Sequence, residues 1–353
     1  MTFLFLLFFC TFYFYIIKNY TPSFILYFPA FIIYFLIAGL QYNVGSDYPS
    51  YIYIYENPWV LERYFNSGEF FFYYSNIILN DLELPSQFIF ILFSFVQSLF
   101  IFLYFKKLKK YHIILWIFFA LFITVTNIYN NQLNGIRQYA ALTLLPLLTI
   151  VLYEKKYKTY ILGCLFSMTF HFTAIIFIAL LFFKPLLKVA LRYPFILFLL
   201  SLPFYILLSQ SVPFILELTN MKYSSYMDSK YFQPRDISII ITKLYYLPLI
   251  FYFFLKFKPQ KESHFSYMHF CLAIFIITFW SFVMGLDIGL LSRLANYFWF
   301  FIIFPLFYLL NDALQRKKTF EFLLIFVYCI LPYLAKVTFL AKGEFLYQSY
   351  IFN

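Results

Sequence analysis

Stretches of about 20 apolar residues recur along the whole chain, and few charges interrupt them. That is the length a helix needs to cross the hydrocarbon core of a bilayer. On this reading, spans fall at 2–17, 21–41, 86–105, 112–130, 137–153, 193–209, 237–255, 267–286, 293–311 and 320–337. A further apolar stretch covers 159–183. Composition removes the alternatives. Of 353 residues, 64% are hydrophobic and only 12% charged, against roughly a quarter charged in a soluble domain. A soluble enzyme, a disordered chain and a collagen-like rod are excluded, and the expected solvent is the lipid bilayer. The first span lacks a basic leader and a small-residue cleavage site, so it reads as a retained helix.

The net charge is +11. In a soluble protein that balance would suggest nucleic acid, but here the bases read as topology signals and no nucleic-acid partner is expected. Short basic segments occur at 106–110, 155–158, 256–261 and 316–318, and longer or more acidic ones at 42–85, 210–236 and 286–292. The positive-inside rule assigns the first group to the cytoplasm. If 159–183 crosses once, Lys and Arg divide 15 inside to 11 outside. If it enters and returns as a helical hairpin with His171 near its turn, they divide 17 to 9, and the acids 4 to 11. The second division fits the rule better. It predicts an all-α, polytopic membrane protein of about ten transmembrane helices plus one re-entrant hairpin (159–183). Residues 1–353 then form a single integral domain, with both termini and the loops 42–85 and 210–236 on the periplasmic side. Non-helical backbone at membrane depth must line a cavity or be shielded by protein, so the turn at Phe170-His171-Phe172 should face a site.

The four cysteines, Cys10, Cys164, Cys271 and Cys329, lie in apolar runs with no metal-ligand spacing. They read as small buried hydrophobes. No phosphate loop, dinucleotide fingerprint or zinc-protease motif occurs, and no metal or cofactor is expected.

Polar residues at the ends of spans are functional candidates by default. Under the hairpin topology they gather on the outer face. Asp47, in Val44-Gly45-Ser46-Asp47-Tyr48, is a candidate general base, with Gly45 allowing a sharp turn. Arg137 and Gln138 open the fifth span. An arginine there sits at the wrong end of the helix dipole for stability, as if held for an anion. His171 has only apolar or hydroxyl neighbours in Met168–Thr173. Arg293 again begins a span from outside, after Asp287 and one turn before Tyr297. Glu69 precedes an aromatic run, Phe70 to Tyr74, that reads as the start of an interfacial helix.

Taken in order, Val44-Gly45-Ser46-Asp47-Tyr48…Tyr51, Glu69-Phe70-Phe71, Ile136-Arg137-Gln138, Phe170-His171-Phe172-Thr173 and Arg293…Tyr297 resemble the EpsG-type family of bacterial polysaccharide polymerases, close to the Wzy O-antigen polymerases. The resemblance runs from the second span to the tenth. It implies a GT-C-like enzyme of the bacterial inner membrane that joins oligosaccharide repeat units carried on undecaprenyl diphosphate, at the periplasmic face. It also implies a chain-length-determining co-polymerase as partner. The chemistry then gives Arg137 and Arg293 the leaving diphosphate. Asp47 and His171 compete as the base for the acceptor hydroxyl. Gly45, Tyr48, Glu69, Gln138 and Tyr297 are supporting residues. The rival readings are a flippase for lipid-linked oligosaccharide and a related membrane transferase such as an O-antigen ligase or an acyltransferase. A flippase of that kind is usually longer and two-fold repeated. A ligase usually carries a larger late periplasmic loop than 210–236.

Overall fold

Long apolar runs predict helices, because a helix satisfies its own backbone groups in lipid, and helices are what form. A computed structural model describes residues 1–21, 23–219, 241, 244–258, 265–282 and 289–352. Its helices are α1 (Thr2–Ile16), α2 (Phe24–Gly39), α3 (Tyr48–Glu56), α4 (Glu62–Asn66), α5 (Phe70–Asp81), α6 (Gln87–Leu108), α7 (Leu115–Thr126), α8 (Ile128–Asn134), α9 (Ile136–Tyr153) and α10 (Tyr157–Phe170). They continue with α11 (Ala179–Phe182), α12 (Lys184–Arg192), α13 (Pro194–Thr219), α14 (Leu247–Lys256), α15 (Tyr267–Thr278), α16 (Gly289–Phe298), α17 (Ile303–Gln315) and α18 (Thr319–Thr338). Among the described residues the only β-pairing is one antiparallel bridge, Gln41 with Ser349.

Among the described residues, five helical stretches are long and apolar enough to cross a membrane: Thr2–Asn19, Gln87–Tyr111, Ile136–Tyr153, Arg293–Gln315 and Thr319–Thr338. Five shorter apolar helices accompany them: Phe24–Gly39, Leu115–Thr126, Pro194–Leu208, Leu247–Lys256 and Tyr267–Thr278. The expected span over 112–130 is broken: Asn127 adopts φ +53, ending α7 and starting α8. Asparagine tolerates that left-handed conformation better than most residues. The 42–85 segment is largely helical, holding α3, α4 and α5. The expected loop over 210–236 begins inside α13, and its remainder lies outside the described residues.

The chain groups into two compact units, residues 1–179 with 326–353, and residues 180–325. In the first, α1 packs on α7 and α2, α2 on α6, α6 on α9, and α9 on α10. Phenylalanine fills its interior: the Phe14 ring lies 5.2 Å from Phe119 and 6.2 Å from both Phe102 and Phe105. In the second unit, α12 and α13 pack on α15, and α14 on α17. The Tyr205 hydroxyl donates to the Ile277 carbonyl at 3.0 Å, and Glu321 accepts from Tyr252 and pairs with Lys256 and Lys318.

Within the first unit the chain reverses at His171, whose backbone is extended (φ −155, ψ 119) between α10 and a 3-10 turn, Phe172–Ile178. The Tyr160 hydroxyl reaches the Phe177 carbonyl at 2.5 Å. In one continuous helix those residues would stand about 25 Å apart. The chain thus turns back on itself at His171, and the count of crossings stays an expectation from charge parity. Reporters fused after Lys158 and after Arg192 are therefore expected on the same side of the membrane. Opposite sides in a paired alkaline phosphatase and fluorescent-protein assay would overturn the hairpin.

The two ends of this unit differ in character. At one, Lys109 Nζ donates to the Tyr20 carbonyl, and Glu154 accepts from Lys110 at 2.8 Å, Lys156 at 2.6 Å and Tyr111 at 3.0 Å. Those hydrogen bonds, that from Lys110 foremost, hold the Glu154 carboxyl down at about 2. The opposite end carries the acids and arginine described next.

Candidate functional site

Five of the residues singled out from sequence, Gly45, Asp47, Glu69, Arg137 and His171, lie at that opposite end of the first unit. Asp47 precedes α3, and its backbone N–H donates to Asn134 Oδ1 at 2.8 Å. Gly45 makes the approach possible. Its φ is +80, and a β-carbon on it would lie 2.8 Å from Asn134 Cβ and Cγ. Asn134 is the last residue of α8. Gly135 then redirects the chain into α9, so that Arg137 lies in its first turn.

Arg137 Nη1 donates to Glu69 Oε2. The side chains keep only 18% and 7% of their surface exposed, so the pair is mostly out of water. Three rings surround the guanidinium, with centroids at 4.5 Å (Tyr64), 4.9 Å (Phe72) and 5.9 Å (Tyr51). The ring faces attract the cation, and the guanidinium also donates a hydrogen bond to the Tyr51 hydroxyl. Arg137 Nε is buried without a hydrogen-bond partner among the described residues. The other carboxylate oxygen, Glu69 Oε1, accepts from the Phe172 N–H at 3.3 Å. Glu69 therefore ties α9 to the His171 turn. His171 Nδ1 lies 2.6 Å from Thr173 Oγ1, with the ring half-buried. Glu69 directly precedes α5, the helix expected to start there.

Tyr48 points the other way. Its hydroxyl donates to Gln87 Oε1 at 3.0 Å, its ring stacks on Phe90 at 4.4 Å, and Gln87 Nε2 reaches the Gly39 and Gln41 carbonyls. Burial pushes the Tyr48 phenol up to about 12, and its hydroxyl and ring contacts anchor the loop. Gln138 is partly buried beside Arg137 in α9. Arg293 and Tyr297 belong to α16 of the second unit, where Arg293 is exposed and Tyr297 fully buried. Asp287 lies outside the described residues.

Sequence reasoning did not find three parts of this arrangement: the Glu69–Arg137 pair, the cage of Tyr51, Tyr64 and Phe72, and the anchoring role of Asn134. Only the last had a signal, since Asn134-Gly135 directly precedes Ile136-Arg137-Gln138.

This arrangement pairs a guanidinium that keeps an unused donor with the Glu69 carboxylate, ties that carboxylate to the chain reversal at His171, and anchors the backbone of Asp47 to Asn134, three residues before Arg137. It can bind an anion and move a proton in one place. No curated protein and no solved structure matches the chain. The profile of the EpsG family matches residues 24–352, nearly the whole chain, and the protein belongs to the EpsG family, a Wzy-type polymerase family.

Proposed function

We propose that this protein joins oligosaccharide repeat units carried on undecaprenyl diphosphate into a surface polysaccharide such as O-antigen, at the periplasmic face of the bacterial inner membrane. The observation that carries the reading is the convergence of Asp47, Glu69, Arg137 and the His171 turn at the non-basic end of one unit, in a chain of the EpsG family. The acceptor hydroxyl oxygen attacks the anomeric carbon of the donor. The bond from that carbon to the diphosphate breaks, and undecaprenyl diphosphate leaves with the electron pair. Arg137 binds the departing diphosphate and stabilises its developing charge. Arg293 is a second candidate for that role. Asp47 and His171 are the candidate acceptors of the hydroxyl proton. The basic end faces the cytoplasm on this reading, which agrees with the positive-inside rule. A chain-length-determining co-polymerase is the expected partner.

Deletion of the gene in its host, followed by gel analysis of the surface polysaccharide, tests this reading. The expected product is a single attached repeat unit in place of a ladder, restored by the wild-type gene. Complete absence of attached units would instead support a flippase or a ligase.

A further inference from the structure

An arginine meant for a substrate anion is already occupied, and that occupancy has a consequence. We propose that Glu69 is a resident counter-ion that the donor's diphosphate displaces from Arg137 on binding, and that its return helps expel the diphosphate product. The proposal rests on the reading of Arg137 as the diphosphate ligand.

Glu69 is built to hold this position and to leave it. A carboxylate just before a helix ordinarily caps that helix's own N–H groups. The Glu69 side chain makes no such cap on α5 and reaches instead to Arg137 and the Phe172 N–H. Both of its oxygens are engaged by groups from distant parts of the chain. Without it, a mostly buried guanidinium would stand uncompensated between substrate encounters, which is strongly unfavourable. The guanidinium does not depend on Glu69 for its placement, because Tyr64, Phe72 and Tyr51 hold it from other sides. The counter-ion can therefore change while the cation stays in place. A diphosphate brings more charge than one carboxylate and offers oxygens spaced for the planar donor fork. The unpartnered Nε is a donor that Glu69 does not use. With the diphosphate seated, two anions would share one guanidinium at short range, and the weaker one is driven off.

The exchange makes the site selective. An anion must outcompete Glu69 to enter, which a lipid monophosphate does less well than a lipid diphosphate. It also sets the apparent affinity: when Arg137 is free of Glu69 in roughly a tenth of molecules, binding weakens about tenfold relative to an open site.

The test uses the full-length protein in lipid nanodiscs, with undecaprenyl diphosphate and undecaprenyl monophosphate as probes. Glu69→Gln is expected to bind the diphosphate about tenfold more tightly than wild type, to narrow the preference for diphosphate over monophosphate, and to lower both kcat and KM in polymer synthesis. Loss of a merely structural contact would loosen the site and weaken binding. Unchanged or weaker diphosphate affinity in Glu69→Gln overturns the counter-ion role. If that variant does not fold, Glu69→Asp serves: its shorter arm cannot span both partners, so a tighter diphosphate affinity than wild type supports the exchange and an equal or weaker one refutes it. Arg137→Ala separates the two levels of inference. If it still binds diphosphate and makes polymer, the assignment of Arg137 itself fails. If it does neither while Glu69→Gln binds no more tightly, only the exchange fails.

Discussion

Arg137→Ala is expected to reduce polymer by at least about a hundredfold, the usual loss when one preorganised charge stabiliser is removed from an active site. The substitution also strands Glu69, which is 7% exposed and would lose its only ion-pair partner among the described residues. Leaving a buried charge uncompensated costs about 3–5 kcal/mol, so the amount of folded protein in the membrane must be measured beside the polymer. Arg137→Lys separates the two effects. Lysine keeps the positive charge for Glu69 but loses the planar donor fork and the flat stacking surface that Tyr64 and Phe72 meet. It should accumulate nearly as wild type and still make little polymer. Normal ladders from Arg137→Ala at matched protein level would remove Arg137 from the mechanism.

The second large effect is expected at a residue with no side chain. Gly45→Ala places a methyl group 2.8 Å from Asn134 Cβ and Cγ, on a backbone with φ +80. The left-handed conformation alone costs a residue with a β-carbon about 1–2 kcal/mol. Relief requires Asn134 to withdraw, which breaks its hydrogen bond to the Asp47 N–H. The strain is local to the loop, so polymer synthesis should fall steeply while the melting temperature in detergent moves by only a few degrees. A double-mutant cycle makes the claim specific. Asn134→Gly removes both clashing carbons, so adding Gly45→Ala to it should cost less than Gly45→Ala costs wild type, the left-handed strain alone remaining. Equal costs in the two backgrounds would mean that the clash with Asn134 is not the cause.

How much of this was legible in the sequence depends on the range of each interaction. Span-forming helices such as α6 and α9 announce themselves through local hydropathy, and α5 begins after Glu69, where the aromatic run suggested. The reversal at His171 was also readable, because its cause is global: basic segments on both sides of one apolar stretch leave an odd crossing unexplained. The break at Asn127 was missed, since asparagine within an apolar run gives only a weak signal for a left-handed residue. Glu69 and Arg137 lie on different helices far apart in sequence, and no periodicity links them. Aromatic residues of α3, α4 and α5 were equally opaque. Tyr64 and Phe72 cage a guanidinium while Tyr53 and Tyr74 are exposed, yet all four look like interfacial belt residues in one dimension. Tyr48 shows the converse. It stands in the most recognisable motif of the chain and spends its hydroxyl on Gln87.

The bridge between Gln41 and Ser349 carries a consequence for biosynthesis. The Tyr42 N–H donates to the Gln348 carbonyl at 2.9 Å, and the Tyr350 N–H to the Leu40 carbonyl at 2.8 Å. These bonds clamp the strip of backbone that runs directly into Gly45 and Asp47. A ribosome makes Leu40 to Tyr42 early and Gln348 to Tyr350 only after nearly all the membrane helices have emerged. A nascent chain stalled before that point can have its helices inserted and still lack the clamp beside Gly45 and Asp47. Synthesis beyond Tyr350 thus becomes a condition for holding that strip of backbone in place.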